Sequence, residues 1–259
     1  MNRVVIVASH RRSGTHLTLD SLRMNALDLD PDFLTLEAIE PGHPEHIPAG
    51  EFERRLTSGT GTVLVKTHAP PGRAAWASEE AADYAEHVLR RWPAIYVHRD
   101  GRDTLVSLHH FVATYSPEVA TLSFGDFIRE QNTSRGAAGI SRAAFWQRHV
   151  LEWLELQPAA NVRFERLRSD FGGAMTDLAR QLELRLRPSI SPVRISDPVP
   201  GWRRRLRRGL RAMTGRAARS TAIRPRSGGS GGWRASFNDA DLAWFEAEAG
   251  EAMARLGYD

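Results

Sequence analysis

"VVIVASHRRSGTHLT", residues 4–18, is the stretch on which the fold turns. A run of β-branched, apolar residues gives way to two arginines, a histidine and a Ser-Gly-Thr turn, and an amphipathic segment follows. An apolar run this short, with no polar alternation, reads as a strand buried on both faces, as in a parallel sheet. A strand, a tight turn with Gly14 and then a helix make the geometry of an anion site. The first N–H groups of a helix lack partners inside it, and its dipole favours negative charge there. Ser13 and Thr15 add hydroxyl donors, and Arg11 and Arg12 add full charges, so a phosphate or sulfate is the expected guest. The plainer alternative is Ser13 as a simple helix cap with two solvated arginines.

Three further runs have strand length, at 62–65, 94–97 and 161–164. Helical patterns fall at 15–24, 77–91, 103–115, 126–132, 143–156, 174–182 and 239–256, while the Pro-rich 40–50 reads as loop. This alternation predicts a three-layer α/β/α fold with a central parallel sheet, in one domain over 1–259. The chain has 259 residues, 41% hydrophobic and 25% charged, as a globular domain requires. With no cysteine, disulfides and thiolate metal sites are excluded. No run is long and apolar enough to span a bilayer and no cleavage pattern follows the first apolar run, so a cytoplasmic protein is expected.

Charge is distributed unevenly. Only one of the 35 basic residues is a lysine, Lys66. Between 198 and 237 lie arginines and no carboxylate, with "SGGSGG" at 227–232; a mobile basic segment is expected over about 199–232. Its core, 203–219, opens and closes with Arg203 and Arg219 and suits transient contact with acidic surfaces; no nucleic-acid partner is expected.

The remaining chemistry clusters at predicted strand ends. "VLVKTHAPPG", 63–72, ends a strand with Lys66 and sets His68 two residues on. Ligands of doubly wound sheets sit at the carboxyl ends of the strands. If the strands at 4–8 and 62–65 are neighbours, Lys66 and His68 lie beside the anion loop, where a histidine can act as general base. "IYVHRDGRDTLVSLHHF", 95–111, ends a strand before Arg99, with Ser107 about two helical turns beyond. Arg99 and Ser107 are candidates to close on a second phosphate; alternatively Asp100 and Asp103 pair with Arg99 or Arg102 and cap the helix. The Walker pattern G-x-x-x-x-G-K-[ST] is not met, which disfavours a standard NTPase.

Together these segments resemble the sulfotransferases that use 3′-phosphoadenosine 5′-phosphosulfate (PAPS). The family's P-[KR]-S-G-T-T loop here becomes "HRRSGTH", 10–16; its K-T-H-x-P is met by 66–70 and its [IV]-Y-V-x-R-[ND]-x-[KR]-D-x-x-x-S by 95–107; and its R-K-G-x-x-G-D-W-[KR] becomes "RSGGSGGWR", 226–234, with Ser227 for the lysine and Gly232 for the aspartate. "FWQRHVLEW" followed by "VRFERL" also looks like the family's helix and fourth strand. The resemblance covers nearly the whole chain, in order, and implies a P-loop-like sulfotransferase fold with PAPS as sulfuryl donor and no metal. It implies His68 as the base, with Arg12 and Lys66 on the reacting group. The phosphosulfate would lie on Arg11, Arg12, Ser13, Gly14, Thr15 and His16. Arg99, Ser107, Phe164, Arg226, Ser227 and Gly228 would complete the nucleotide site, with Trp233 anchoring the loop. Leu17 stands where the family has a tryptophan, and Phe164 where it has a tyrosine. The acceptor is expected to be a hydroxyl or amine of a small molecule, sugar or lipid. Two other readings are a nucleotide-dependent kinase with a degenerate loop, and a basic module binding polyanions or membrane surfaces.

Overall fold

The computed structural model describes residues 3–59, 61–131, 139–193 and 229–258. Five parallel strands form one sheet: β1 (Val4–Ser9), β2 (Leu29–Thr35), β3 (Thr62–Thr67), β4 (Ala94–His98) and β5 (Ala160–Arg163), in spatial order β2-β3-β1-β4-β5. The α/β/α expectation holds. Every residue of β1 is buried, and alternation along the strand sends Val4, Ile6 and Ala8 into one core and Val5 and Val7 into the other. The second core is closed by α1 (Thr15–Asn25) and α9 (Phe171–Gln181) through Leu19, Leu22, Met175 and Leu178. The first is closed by α2 (Ala49–Thr57), α3 (Glu79–Arg91), α4 (Gly101–Val112), α7 (Arg142–Glu155) and α10 (Asp239–Arg255). Trp146 and Trp153 of α7 are its largest fully buried side chains. Short helices α5 (Pro117–Thr121), α6 (Phe124–Arg129) and α8 (Phe164–Ser169) complete the frame.

Helix starts follow local chemistry. Ser78, Ser116, Ser123, Ser141 and Asn238 each accept a bond from a backbone N–H three residues on. Asp100 caps α4 by accepting from the Arg102 N–H, so that helix begins at Gly101, earlier than the apolar pattern indicates, and it ends at Val112 rather than 115. Ser13 is not the cap of α1; Gly14 is, with no side-chain bond.

Three differences from the sequence reading have physical causes. β2 lacks the apolar signature because Pro31 and two aspartates interrupt it. An edge strand tolerates a residue without an N–H, and the β2–β3 register shifts between Leu29 and Phe33. α2 carries only Phe52 and Leu56 on its buried side, too few apolar residues to show a helical period. Phe164 is the first residue of α8 and not the last of a strand.

The order of the sheet creates the cleft. β1 connects toward β2 on one side, and β4 toward β5 on the other, so a crevice opens at the carboxyl ends of these two adjacent strands.

Candidate active site

The loop after β1 is held in a shape few residues adopt. Arg12 lies at φ 71° and Gly14 at φ 103°. A Cβ on Gly14 would meet Phe164 Cδ2 at 2.6 Å, so both backbone and packing require glycine. Ser9 Oγ and Thr15 Oγ1 are 2.5 Å apart, tying the strand end to the first residue of α1. No carboxylate lies in the first turn of α1, leaving its positive end without a counter-charge from that turn.

Arg12 turns from this loop toward α4, where Nε donates to Ser107 Oγ at 3.1 Å and the guanidinium lies over the Phe111 ring at 4.9 Å. Arg99, one residue beyond β4, donates to the Gly229 carbonyl at 2.8 Å and to that of Arg12 at 3.5 Å. Its guanidinium lies 4.7 Å from the centroid of Phe164, the ring that also fills the space behind Gly14. Ser107 is therefore joined to Arg99 through Arg12. Burial, then Arg99, lowers the Arg12 pKa; burial lowers that of Arg99, with Asp103 foremost among the carboxylates opposing it. Two partly desolvated cations that repel each other would each gain from a shared anion. Arg99 Nε is buried and has no partner among the described residues.

Across the cleft, Lys66 is the fifth residue of β3, in register with Val7 of β1. β1 and β3 are indeed neighbours, so His68 stands beside the loop. His68 Nδ1 lies 2.9 Å from the Ser9 carbonyl, which can only accept; Nδ1 therefore carries the proton and Nε2 is a bare acceptor. Burial, followed by the charge of Lys66, holds the His68 pKa well below its ordinary value, which keeps the ring neutral at neutral pH.

Other histidines near the loop are occupied by packing. His10 meets His149 edge-on at 5.4 Å and His16 meets Phe33 at 6.0 Å; burial foremost pushes both down to about 4. His98, likewise pushed down to about 4 by burial, pairs with the Tyr258 hydroxyl at 3.1 Å. His109 lies 4.7 Å from the Phe127 ring, and His110 is exposed.

Arg226, Ser227, Gly228 and the 203–219 stretch lie outside the described residues. The chain that follows them is tied into the site. Asp103 accepts from the N–H of Gly231 at 2.7 Å and of Trp233 at 3.0 Å, and Arg102 covers the Trp233 ring at 4.2 Å. Residues 232–235 form a 3-10 turn, so the glycine-rich segment ends in regular structure. Asp103, read from sequence as a cap or an arginine partner, does pair with Arg99 at 3.9 Å, and it receives this segment as well. No local signal marks that role, because its partners lie far along the chain.

Among the described residues no group of His, Asp or Glu is arranged to hold a metal ion, and no helix is long and apolar enough to cross a membrane. A family model described as the sulfotransferase domain matches residues 2–257. None of the curated proteins compared matches significantly. The fold is similar to mouse sulfotransferase SULT7A1 complexed with PAP, at 19% identity and TM-score 0.60, covering 97% of this chain and 84% of that one. It is also similar to retinol dehydratase in a complex with retinol and PAP, at 18% identity and TM-score 0.52 over 96% and 81% of the two chains. The sulfotransferase domain of the Synechococcus PCC 7002 olefin synthase aligns at 12% identity and TM-score 0.53 over 100% and 95%.

Proposed function

The chain belongs to the sulfotransferase domain family, and from that premise we propose that it moves a sulfuryl group from PAPS to a hydroxyl of a small molecule, with sugars, lipids and amines as further acceptor classes. The observation that carries this reading is Ser9. Its carbonyl receives the His68 proton donor and its hydroxyl meets Thr15, so one residue joins the base to the anion loop.

The residues present fit the donor. Arg12 and Arg99 are desolvated and mutually repelling, and Gly14 leaves a cradle that a Cβ would fill. The loop from Arg11 to His16 would hold the phosphosulfate, and Arg99 and Ser107 the 3′-phosphate. PAPS, when bound, supplies a sulfuryl group already activated by a phosphate leaving group. His68 Nε2 takes the acceptor's proton as its oxygen attacks. Arg12, Lys66 and the N-terminus of α1 meet the negative charge that grows where the old bond breaks. Arginine stays charged throughout, so Arg12 stabilises but donates no proton. Phe111 and the exposed Tyr115, with ring centroids 5.4 Å apart, support an aromatic or alicyclic acceptor near Arg12.

The test is product formation from labelled PAPS with 4-nitrophenol, a sterol, a sugar and an alkyl alcohol as acceptors. Losing a general base costs about a hundredfold to ten-thousandfold in rate, so His68→Ala is expected to lose turnover in that range while binding adenosine 3′,5′-bisphosphate normally. His10→Ala is expected to lose far less. Retention of more than about a tenth of wild-type turnover by His68→Ala would overturn the assignment. Activity that requires ATP and Mg²⁺ instead of PAPS would favour a kinase.

A further inference from the structure

We propose that Glu37 and His149 are positioning residues that grip the backbone of His68 from opposite sides and thereby aim its imidazole. The proposal rests on His68 as the base and asks what holds it there.

β3 ends at Thr67, whose last partner in β1 is Ala8. On the other side, β2 pairs only as far as Thr35 with Lys66. Beyond that point the peptide groups of His68 and Ala69 have no ladder to join, and buried backbone groups need partners. The short 3-10 turn after β2 (Leu36–Ile39) supplies one. Glu37 Oε1 accepts from Thr67 Oγ1 at 3.2 Å, from the His68 N–H at 2.5 Å and from the Ala69 N–H at 3.1 Å. Three donors on one carboxylate oxygen make charge-assisted bonds, the stronger kind.

The carbonyl side is held by α7. His149 Nε2 lies 3.2 Å from the His68 carbonyl, and His149 Nδ1 lies 3.0 Å from the Tyr96 hydroxyl. A carbonyl only accepts, so Nε2 carries the proton and Tyr96 donates to Nδ1. One helical turn on, Trp153 Nε1 donates to the Ala69 carbonyl at 3.1 Å. Tyr96, His149 and Trp153 are all fully buried.

This grip matters because the base is read out through a single geometry. Nδ1 reaches the Ser9 carbonyl at 2.9 Å, and that bond leaves Nε2 bare. A shift of the His68 backbone by about 1 Å would carry Nδ1 out of hydrogen-bond range and release the ring to either tautomer. The second oxygen of Glu37 is buried and has no partner among the described residues, a cost that packing alone would not select. Local costs of this kind collect where function needs a fixed geometry.

The test reads the ring directly, using the full-length chain with isotope-labelled histidine and nitrogen-detected NMR, the His68 signals being assigned by their loss in His68→Ala. Wild type is expected to show His68 as the Nδ1–H tautomer, Glu37→Ala a mixture of the two, and Glu37→Gln, which keeps one sp² oxygen for the three donors, the wild-type tautomer. With labelled PAPS and 4-nitrophenol, Glu37→Ala is expected to lose about a hundredfold in kcat, the cost of roughly 1 Å of misplacement, with the KM for PAPS unchanged; Glu37→Gln recovers most of the loss. Should Glu37→Ala fail to fold, Thr67→Val and His149→Gln probe the same two sides, and partial tautomer mixing in both is the expected result. A wild-type tautomer in Glu37→Ala, or in both substitute variants, overturns the grip. So does a Glu37→Gln ring as disordered as that of Glu37→Ala. The NMR result needs no turnover, so it separates a failed grip from a failed sulfotransfer assignment.

Discussion

Gly14→Ala puts the anion loop to its severest test. The residue sits at φ 103°, outside the regions that an L side chain occupies without strain, and holding alanine there costs about 1–3 kcal/mol. The added methyl would also lie 2.6 Å from Phe164 Cδ2. That ring is buried between Gly14 and Arg99 and has little freedom to yield, so overpacking adds about 1–3 kcal/mol more. The expected destabilisation is therefore about 2–6 kcal/mol, and at 2–4 °C per kcal/mol for a domain of this size the melting temperature falls by about 4 °C or more. The loop can avoid part of this cost by abandoning the left-handed geometry, but the backbone donors then no longer converge. Thermal melts, with calorimetry against adenosine 3′,5′-bisphosphate, measure both effects, and at least about a tenfold loss of affinity is expected. Phe164→Leu removes the collision but not the backbone strain. In the double-mutant cycle the pair should therefore couple favourably by about 1–3 kcal/mol while remaining less stable than Phe164→Leu alone. A Gly14→Ala protein with wild-type melting and affinity, or a strictly additive cycle, would refute the reasoning.

Arg12 and Arg99 are read as serving two phosphates, so adenosine 3′,5′-bisphosphate should bind more tightly than AMP, and Arg99→Ala should erase that preference; equal wild-type affinities in calorimetry would sink the assignment. Stability should fall in acid. His10 and His98 are held at about 4 in the folded chain against an ordinary value of 6.5, so the unfolded state binds the extra protons between those values. Each then removes about 2 kcal/mol on going from about pH 7 to about pH 5, and unchanged melting temperatures over that range would contradict their burial as neutral rings. Sulfuryl transfer should continue in excess EDTA, because the proposed mechanism gives Arg12, Lys66 and the start of α1 the charge-stabilising role that a metal ion takes in phosphoryl transfer; loss of activity restored by Mg²⁺ would count against it.

The sequence by itself determined the central strand, the glycine turn after it and the two further strand-end motifs. These are local features. An apolar run with no polar break, a glycine where the chain must turn, and a lone lysine two residues before a histidine are legible without knowing what packs on them. Tertiary structure decided what those motifs meet. β2 was hidden because Pro31 breaks its pattern and only an edge position tolerates it. Phe164 closed a strand-length run in sequence, yet it opens a helix whose first ring closes the space behind Gly14. Glu37 lies 31 residues from the His68 amide it receives, and Asp103 lies 130 residues from Trp233. Nothing in the neighbourhood of either carboxylate names its partner. A side chain's role is set by the backbone groups that the sheet order leaves unpaired beside it, and that order is fixed only when the whole chain packs.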